Sequence, residues 1–236
     1  MDNKEIKDSL IKRLKDILDT ISKLSFPLSL KLRIVRLYIP SQFNFELQIY
    51  SLSLIWITDY LDQQIVNALR EWLAYPISSC VAEIAGLLFS KGGLNIPSLR
   101  NIAEKHLLST RSSLKLSSDK AMKSLWKETK FKHIPTEHSL QCNDLRAAKL
   151  QLRQKFIERS LEHIQSLQVQ GTVLKCLHQL LKSSEISRWS NFLATLHDSL
   201  FIFARKALQQ QLATASNLTR WGKVTSSQCT MQRCPN

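Results

Sequence analysis

Ile6, Leu10, Ile11, Leu14, Ile17, Leu18, Ile21 and Leu24 recur at steps of three and four, while Lys4, Lys7, Lys12, Lys15 and Lys23 fill much of the other face. That spacing predicts an amphipathic helix closing near Phe26-Pro27. The same period returns along most of the chain. "LSLKLRIVRLYI" reads as a second helix, broken at Pro40, and residues 41–75 hold one or two more before Pro76, with Ile55, Leu61, Ile65, Leu69 and Trp72 inward. A short apolar segment at 80–89 leads to Gly92-Gly93, the one Gly pair in the sequence, which predicts a turn. From Pro97 a helix runs to about Leu114, with Leu99, Ile102, Ala103, Leu107 and Leu114 on one side and Arg100, Arg111 and Lys115 beside them, Glu104 among these. A short helix over 119–131 carries Lys120, Lys123, Lys127 and Lys130, and further helices are predicted over 140–168, 172–182 and 186–211. The last is read as one long helix with an apolar stripe of Trp189, Leu193, Leu196, Leu200, Phe203 and Ala207. Trp56, Trp72, Trp126 and Trp189 are assigned to the core. No run alternates as a strand does and no fixed-period repeat appears, so the predicted fold is all-α. Five glycines and six prolines in 236 residues argue equally against a turn-rich β protein and against general disorder.

Charge is distributed unevenly. The chain has 33 Lys and Arg against 19 Asp and Glu, a net +14. Residues 51–90 have one base and four acids, whereas residues 91–133 have ten bases and three acids, net +7. Half the excess therefore sits in one stretch, the footprint expected of a protein that meets a polyanion; a merely solvated lysine-rich surface has the same composition. Helix-borne bases at these spacings can follow a phosphate backbone without reading sequence. Arg100, Lys105, Arg111, Lys115, Lys123 and Lys127 are the predicted phosphate contacts, and RNA or an RNA–DNA duplex the predicted partner.

Catalytic patterns are missing. "SKGGLN" lacks phosphate-loop spacing, and neither a G-x-S-x-G elbow nor an H-E-x-x-H pair occurs. A polymerase or nuclease centre needs carboxylates converging on divalent metal, whereas the acids here read as scattered over solvated helix faces, so no enzymatic activity is expected. His133, His138 and Cys142 fall close together, but their spacing matches no common zinc pattern and reads as a polar loop leading into a helix. Cys176 and His178, two apart on a helix, point to different faces and cannot chelate together. Cys229-x4-Cys234 supplies only half of a tetrahedral zinc set, so the expectation is an unoccupied half site and no cofactor. Five scattered cysteines do not form a disulfide framework. The first ten residues carry acids and no apolar core, and the apolar runs are far shorter than the roughly 20 residues a bilayer requires. An intracellular chain, nuclear or cytoplasmic and without a membrane partner, is expected.

Three stretches, in order, carry a resemblance: "FPLSLKLRIVRLYIPSQFNFEL", "LDQQIVNALREWLAYP" and "SKGGLNIPSLRNIAEKHLLSTRSSLKL". Together they resemble the C-terminal region of reverse transcriptases from non-long-terminal-repeat, LINE-type retrotransposons; Gly92-Gly93-Leu94-x-Ile96-Pro97-Ser98-Leu99 is the most specific element. "NLTRWGKVTSSQCTMQRC" is similar to the segment that introduces a Cys-Cys-His-Cys zinc knuckle in that family, although the cysteines are spaced by four residues where the family usually has two. The resemblance implies a thumb-like helical region over 1–133, a helical connector over 134–215 and a truncated knuckle lead-in, disordered, over 216–236. It implies that thumb helices pack against a template–primer duplex, and that the palm and its metal-binding aspartates would lie outside this sequence. The functional expectation is thus a non-catalytic reverse-transcriptase fragment that binds RNA or RNA–DNA duplex. The alternatives are a helical module that docks on a protein partner, for which an exposed stripe over 186–211 would speak, and a remnant of a truncated element without function.

Overall fold

The computed structural model describes residues 3–50, 52–77, 79–122, 124, 145–167, 171–180, 182–193, 195–220 and 222–226. Among them there is no strand, and the chain is all-α. Helix α1 (Asn3–Lys23) buries Ile6, Leu10, Leu14, Leu18 and Ile21, the stripe its spacing predicts. It packs on α2 (Leu28–Ile49) and on a third helical rod. That rod is continuous through α3 (Leu54–Trp56), a π-helical segment (Ile57–Asp62) and α4 (Gln63–Trp72).

Two predicted features of this region are corrected. Pro40 does not break α2, which runs through it to Ile49. Proline removes one backbone donor and crowds the preceding turn. Here Leu32, Val35, Ile39, Phe43 and Leu47 form an unbroken buried stripe across it, and the Ser41 hydroxyl donates to the Tyr38 carbonyl at 2.7 Å. Continuous packing on both sides outweighs the lost hydrogen bond. Ile55 is 70% exposed, not inward. The buried positions of the rod step by four, Ile57, Leu61, Ile65, Leu69 and Leu73, and the wider turn of the π segment keeps that step on one face. Ile55 lies two residues before the first of them, on the opposite side.

Beyond Tyr75 come α5 (Val81–Gly86) and a 3-10 turn (Phe89–Lys91). The Gly92-Gly93 turn then sends the chain back along α5, where Leu94, Asn95 and Ile96 donate to the carbonyls of Ile84, Leu87 and Ala85. Gly92 has φ +79°, a left-handed conformation that side chains other than glycine strain to adopt. Gly93 is needed for closeness: a Cβ there would fall on the carbonyl oxygen of Leu87. The turn delivers Pro97 and Ser98 to the start of α6 (Leu99–Leu116).

Helices α7 (Leu145–Ser166), α8 (Thr172–Leu180), α9 (Ser183–Leu193), α10 (Asp198–Leu208) and α11 (Ala215–Arg220) complete the described elements. One core runs from Ile6 through α1–α6 to Ile157, Ile164, Leu174, Leu193 and Phe201, so residues on both sides of position 133 share it. The expected single helix over 186–211 is two. The chain turns at Thr195 and Leu196, and His197 caps α10 by accepting from the Ser199 amide. Asp198 then accepts the Leu28 amide at 2.8 Å, tying α10 to the first turn of α2. The break splits the predicted stripe: Leu193 is buried and Leu196 packs on the core, but Trp189 and Phe203 are 55% and 57% exposed, and Leu200 is exposed as well. Trp56 and Trp72 pack partly buried against the core, as expected, while Trp126 lies outside the described residues. Among the described residues no helix is long and apolar enough to cross a membrane.

Candidate nucleic-acid interface

Helix α6 is placed by an acid from another part of the chain. The Asp62 carboxylate accepts from the Leu99 amide at 2.7 Å, the Arg100 amide at 3.2 Å and the Ser98 hydroxyl at 2.9 Å, while Ser98 itself accepts the Asn101 amide. Asp62 and Ser98 thereby share the first-turn donors that a helix leaves unpaired, Asp62 taking Leu99 and Arg100 and Ser98 taking Asn101. Burial pushes the Asp62 pKa above the ordinary aspartate value; the three hydrogen bonds and the charge of Arg100 oppose that without reversing it.

Antiparallel packing sets α7 beside α6. Leu108 and Ala148 form a small apolar contact flanked by Leu107 and Leu145, which brings Lys105 opposite Lys149 and Arg153. Burial first, and then the charges of Arg153 and Lys149, lower the Lys105 pKa below that of an ordinary lysine. His106, hydrogen-bonded to the Asn44 side chain at 2.7 Å, is likewise lowered by burial and by Lys149 and Lys105. Cations here repel one another across a helix–helix groove.

That groove opens as a cleft of about 510 Å³ lined by Arg36, Asn95, Asn101, Lys105, Arg153 and Phe156 among others, and among the described residues no Asp or Glu lines it. The Arg153 guanidinium is steadied by Asn95 Oδ1 at 3.2 Å. Asn95 itself has φ +54° and sits in the Gly92–Pro97 return, so the turn also orients a cleft residue.

The sequence-predicted contacts fall unevenly about this cleft. Lys105 lines it. Arg100 lines a neighbouring cavity of about 350 Å³ and pairs with Glu104 at 3.4 Å. Arg111 is half-buried farther along α6. The side chains of Lys115, Lys123 and Lys127 lie outside the described residues, as do His133, His138, Cys142, Cys229 and Cys234. Sequence reading missed Arg36, Lys149 and Arg153. Arg146, Lys149 and Arg153 are spaced by three and four, a stripe visible in the sequence but masked there by the near-neutral balance of the surrounding segment.

The acids are not all solvated. Glu104 is 4% exposed, and Asp62, Glu83 and Glu104 line the same 350 Å³ cavity. Tertiary packing gathers what the sequence spreads out. Each is engaged: Asp62 by the start of α6, Glu104 by Arg100, and Glu83 by His163 Nδ1 at 2.9 Å. Cys80 joins the last pair in a group whose donor atoms lie within 4.8 Å of one another. Its thiol is pushed up to about 11 by burial and by the Glu83 charge. Cys176 is exposed and His178 meets Gln165 at 3.1 Å, so that pair converges on nothing shared.

The 510 Å³ cleft between α6 and α7 is therefore cationic, with no acid in its wall among the described residues, while the adjoining 350 Å³ cavity holds the acids. Compared with known proteins, the chain matches no family model and no curated relative.

Proposed function

We propose that this chain binds RNA or an RNA–DNA duplex through the backbone phosphates, as a non-catalytic, thumb-like fragment of a retrotransposon-type reverse transcriptase. One observation carries the reading: Arg36, Lys105 and Arg153 line a cleft with no carboxylate among the described residues, and Lys149 lies beside them. Clustered cations cost electrostatic free energy in the unliganded protein, and a polyanion that releases its own counterions relieves it. The Asp62 cap adds coherence, because it joins "LDQQIVNALREW" to "NIPSLR", two of the stretches on which the retrotransposon resemblance rests.

Fluorescence anisotropy with labelled RNA–DNA, double-stranded DNA and single-stranded RNA tests it. Saturable binding to RNA–DNA or RNA at moderate salt supports the proposal, and failure to bind any of them at low salt refutes it.

A second reading is favoured by a specific observation. Trp189, Phe192, Leu200 and Phe203 are exposed on α9 and α10, and apolar surface of this kind marks protein docking. On that reading the aromatic face, not the basic cleft, carries binding.

A further inference from the structure

Arg205 on α10 is 2% exposed, and among the described residues no carboxylate pairs with it. Its Nη1 donates to the Gly92 carbonyl at 2.9 Å, its guanidinium lies 5.3 Å from the centre of the Phe201 ring, and its Nε has no hydrogen-bond partner. Guanidinium carries five donors, and buried ones are ordinarily paired with an anion. The neighbouring polar groups do not supply one. The Tyr75 hydroxyl accepts from Gln209 Nε2 at 2.6 Å, and burial pushes its pKa up, so it is neutral. Asp198, at the start of the same helix, is turned to the Leu28 amide.

Arg205 lines a cleft of about 300 Å³ with Arg33 and Arg36 of α2, Phe89, Phe201 and Asn191, and again no Asp or Glu among the described residues takes part. Arg33 is exposed and Arg36 half-buried, its guanidinium 5.0 Å from the centre of the Phe89 ring. Three cations thus grade from solvent to interior across one small cavity. A carboxylate would neutralise one of them; a phosphate monoester carries about two charges and has tetrahedral oxygens that suit guanidinium forks.

We propose that the cleft between α2 and α10 is a site for a single phosphate group, held by Arg205 from within and by Arg33 and Arg36 from α2. The site is distinct from the α6–α7 groove, although Arg36 borders both, and it stands whether or not the chain grips a duplex. The phosphate could be inorganic or carried by a nucleic acid.

Thermal unfolding of the full chain, titrated with sodium phosphate against sodium chloride at matched ionic strength, tests the site. Phosphate is expected to raise Tm saturably. Arg33→Gln should weaken the apparent phosphate affinity about tenfold while leaving the circular dichroism unchanged. Arg205→Met, which substitutes an apolar chain for the buried cation, should fold and lose the response; should it not fold, Arg33→Gln decides. A response no larger than that to chloride, or one that Arg33→Gln retains in full, overturns the proposal. Competition with 5′-phosphorylated and 5′-hydroxyl oligonucleotides of one sequence identifies the source. Displacement of phosphate by the first alone marks a terminal phosphate, by both a backbone phosphate, and by neither free phosphate.

Discussion

The Asp62 carboxylate accepts the Ser98 hydroxyl at 2.9 Å, and through the same two oxygens it holds the Leu99 and Arg100 amides. Thirty-six residues of chain separate the acid from the helix it caps. The π-helical segment that ends on Asp62 and the glycine turn that delivers Ser98 thus serve one junction. Asp62→Ala leaves those amides without a partner, and is expected to cost about 1–3 kcal/mol in urea unfolding. A loss below about 0.5 kcal/mol would show that the cap is dispensable.

The pH dependence of that junction has a definite sign. Asp62 has a folded pKa above its ordinary value of 3.8, so its contribution is fully present below that value and is lost as pH rises through the folded pKa. Wild type should therefore gain stability relative to Asp62→Asn as pH falls from neutral towards 3.8. Paired urea melts across that range check it. Glu46 runs the other way. Burial raises its pKa, but hydrogen bonds from Arg13 and its own backbone, with the Arg13 charge, bring it below 4.5. Its contribution is present above 4.5 and is lost as pH falls through the folded value, so Glu46→Gln should narrow the acid limb.

Gly93 and Gly92 fail for different reasons when substituted. Gly93→Ala places a methyl on the Leu87 backbone and should cost more than about 1 kcal/mol, lowering Tm by more than about 2 °C. Gly92→Ala meets the Leu174 side chain and is strained at φ +79°, a cost of about 1–3 kcal/mol. Equal wild-type Tm in both variants would contradict the turn.

The exposed aromatic face separates the two functional readings. Trp189→Asp and Phe203→Asp alter residues more than half exposed and should change stability by no more than about 0.5 kcal/mol. On the nucleic-acid reading they leave duplex affinity unchanged. A protein partner found by cross-linking and lost in these variants, with duplex binding absent, would favour the docking reading.

Much of the fold was legible from periodicity. The α1 stripe, the glycine turn and the helix expected from Pro97, which begins at Leu99, follow from local patterns that tertiary packing reinforces. The errors arose where packing overrode the local rule, as at Pro40, or where a helical phase ran across a break, as from Trp189 to Phe203. Of the basic cleft, Lys105 was readable, because charge density alone marks its helix. Arg36 and Arg153 were not, since one comes from α2 and the other from α7, and only the antiparallel packing of Leu108 on Ala148 brings α7 to α6. Arg205 was invisible as a site residue for the same reason: burial without a counter-charge is a property of the folded chain.

The most direct measurement is the salt dependence of RNA–DNA duplex affinity for wild type, Lys105→Glu and Arg153→Glu. The wild-type affinity should fall steeply and linearly on logarithmic axes as salt rises, and each charge reversal should flatten that slope by about one unit. Affinity that ignores salt, or slopes that neither reversal changes, would contradict binding in the α6–α7 cleft.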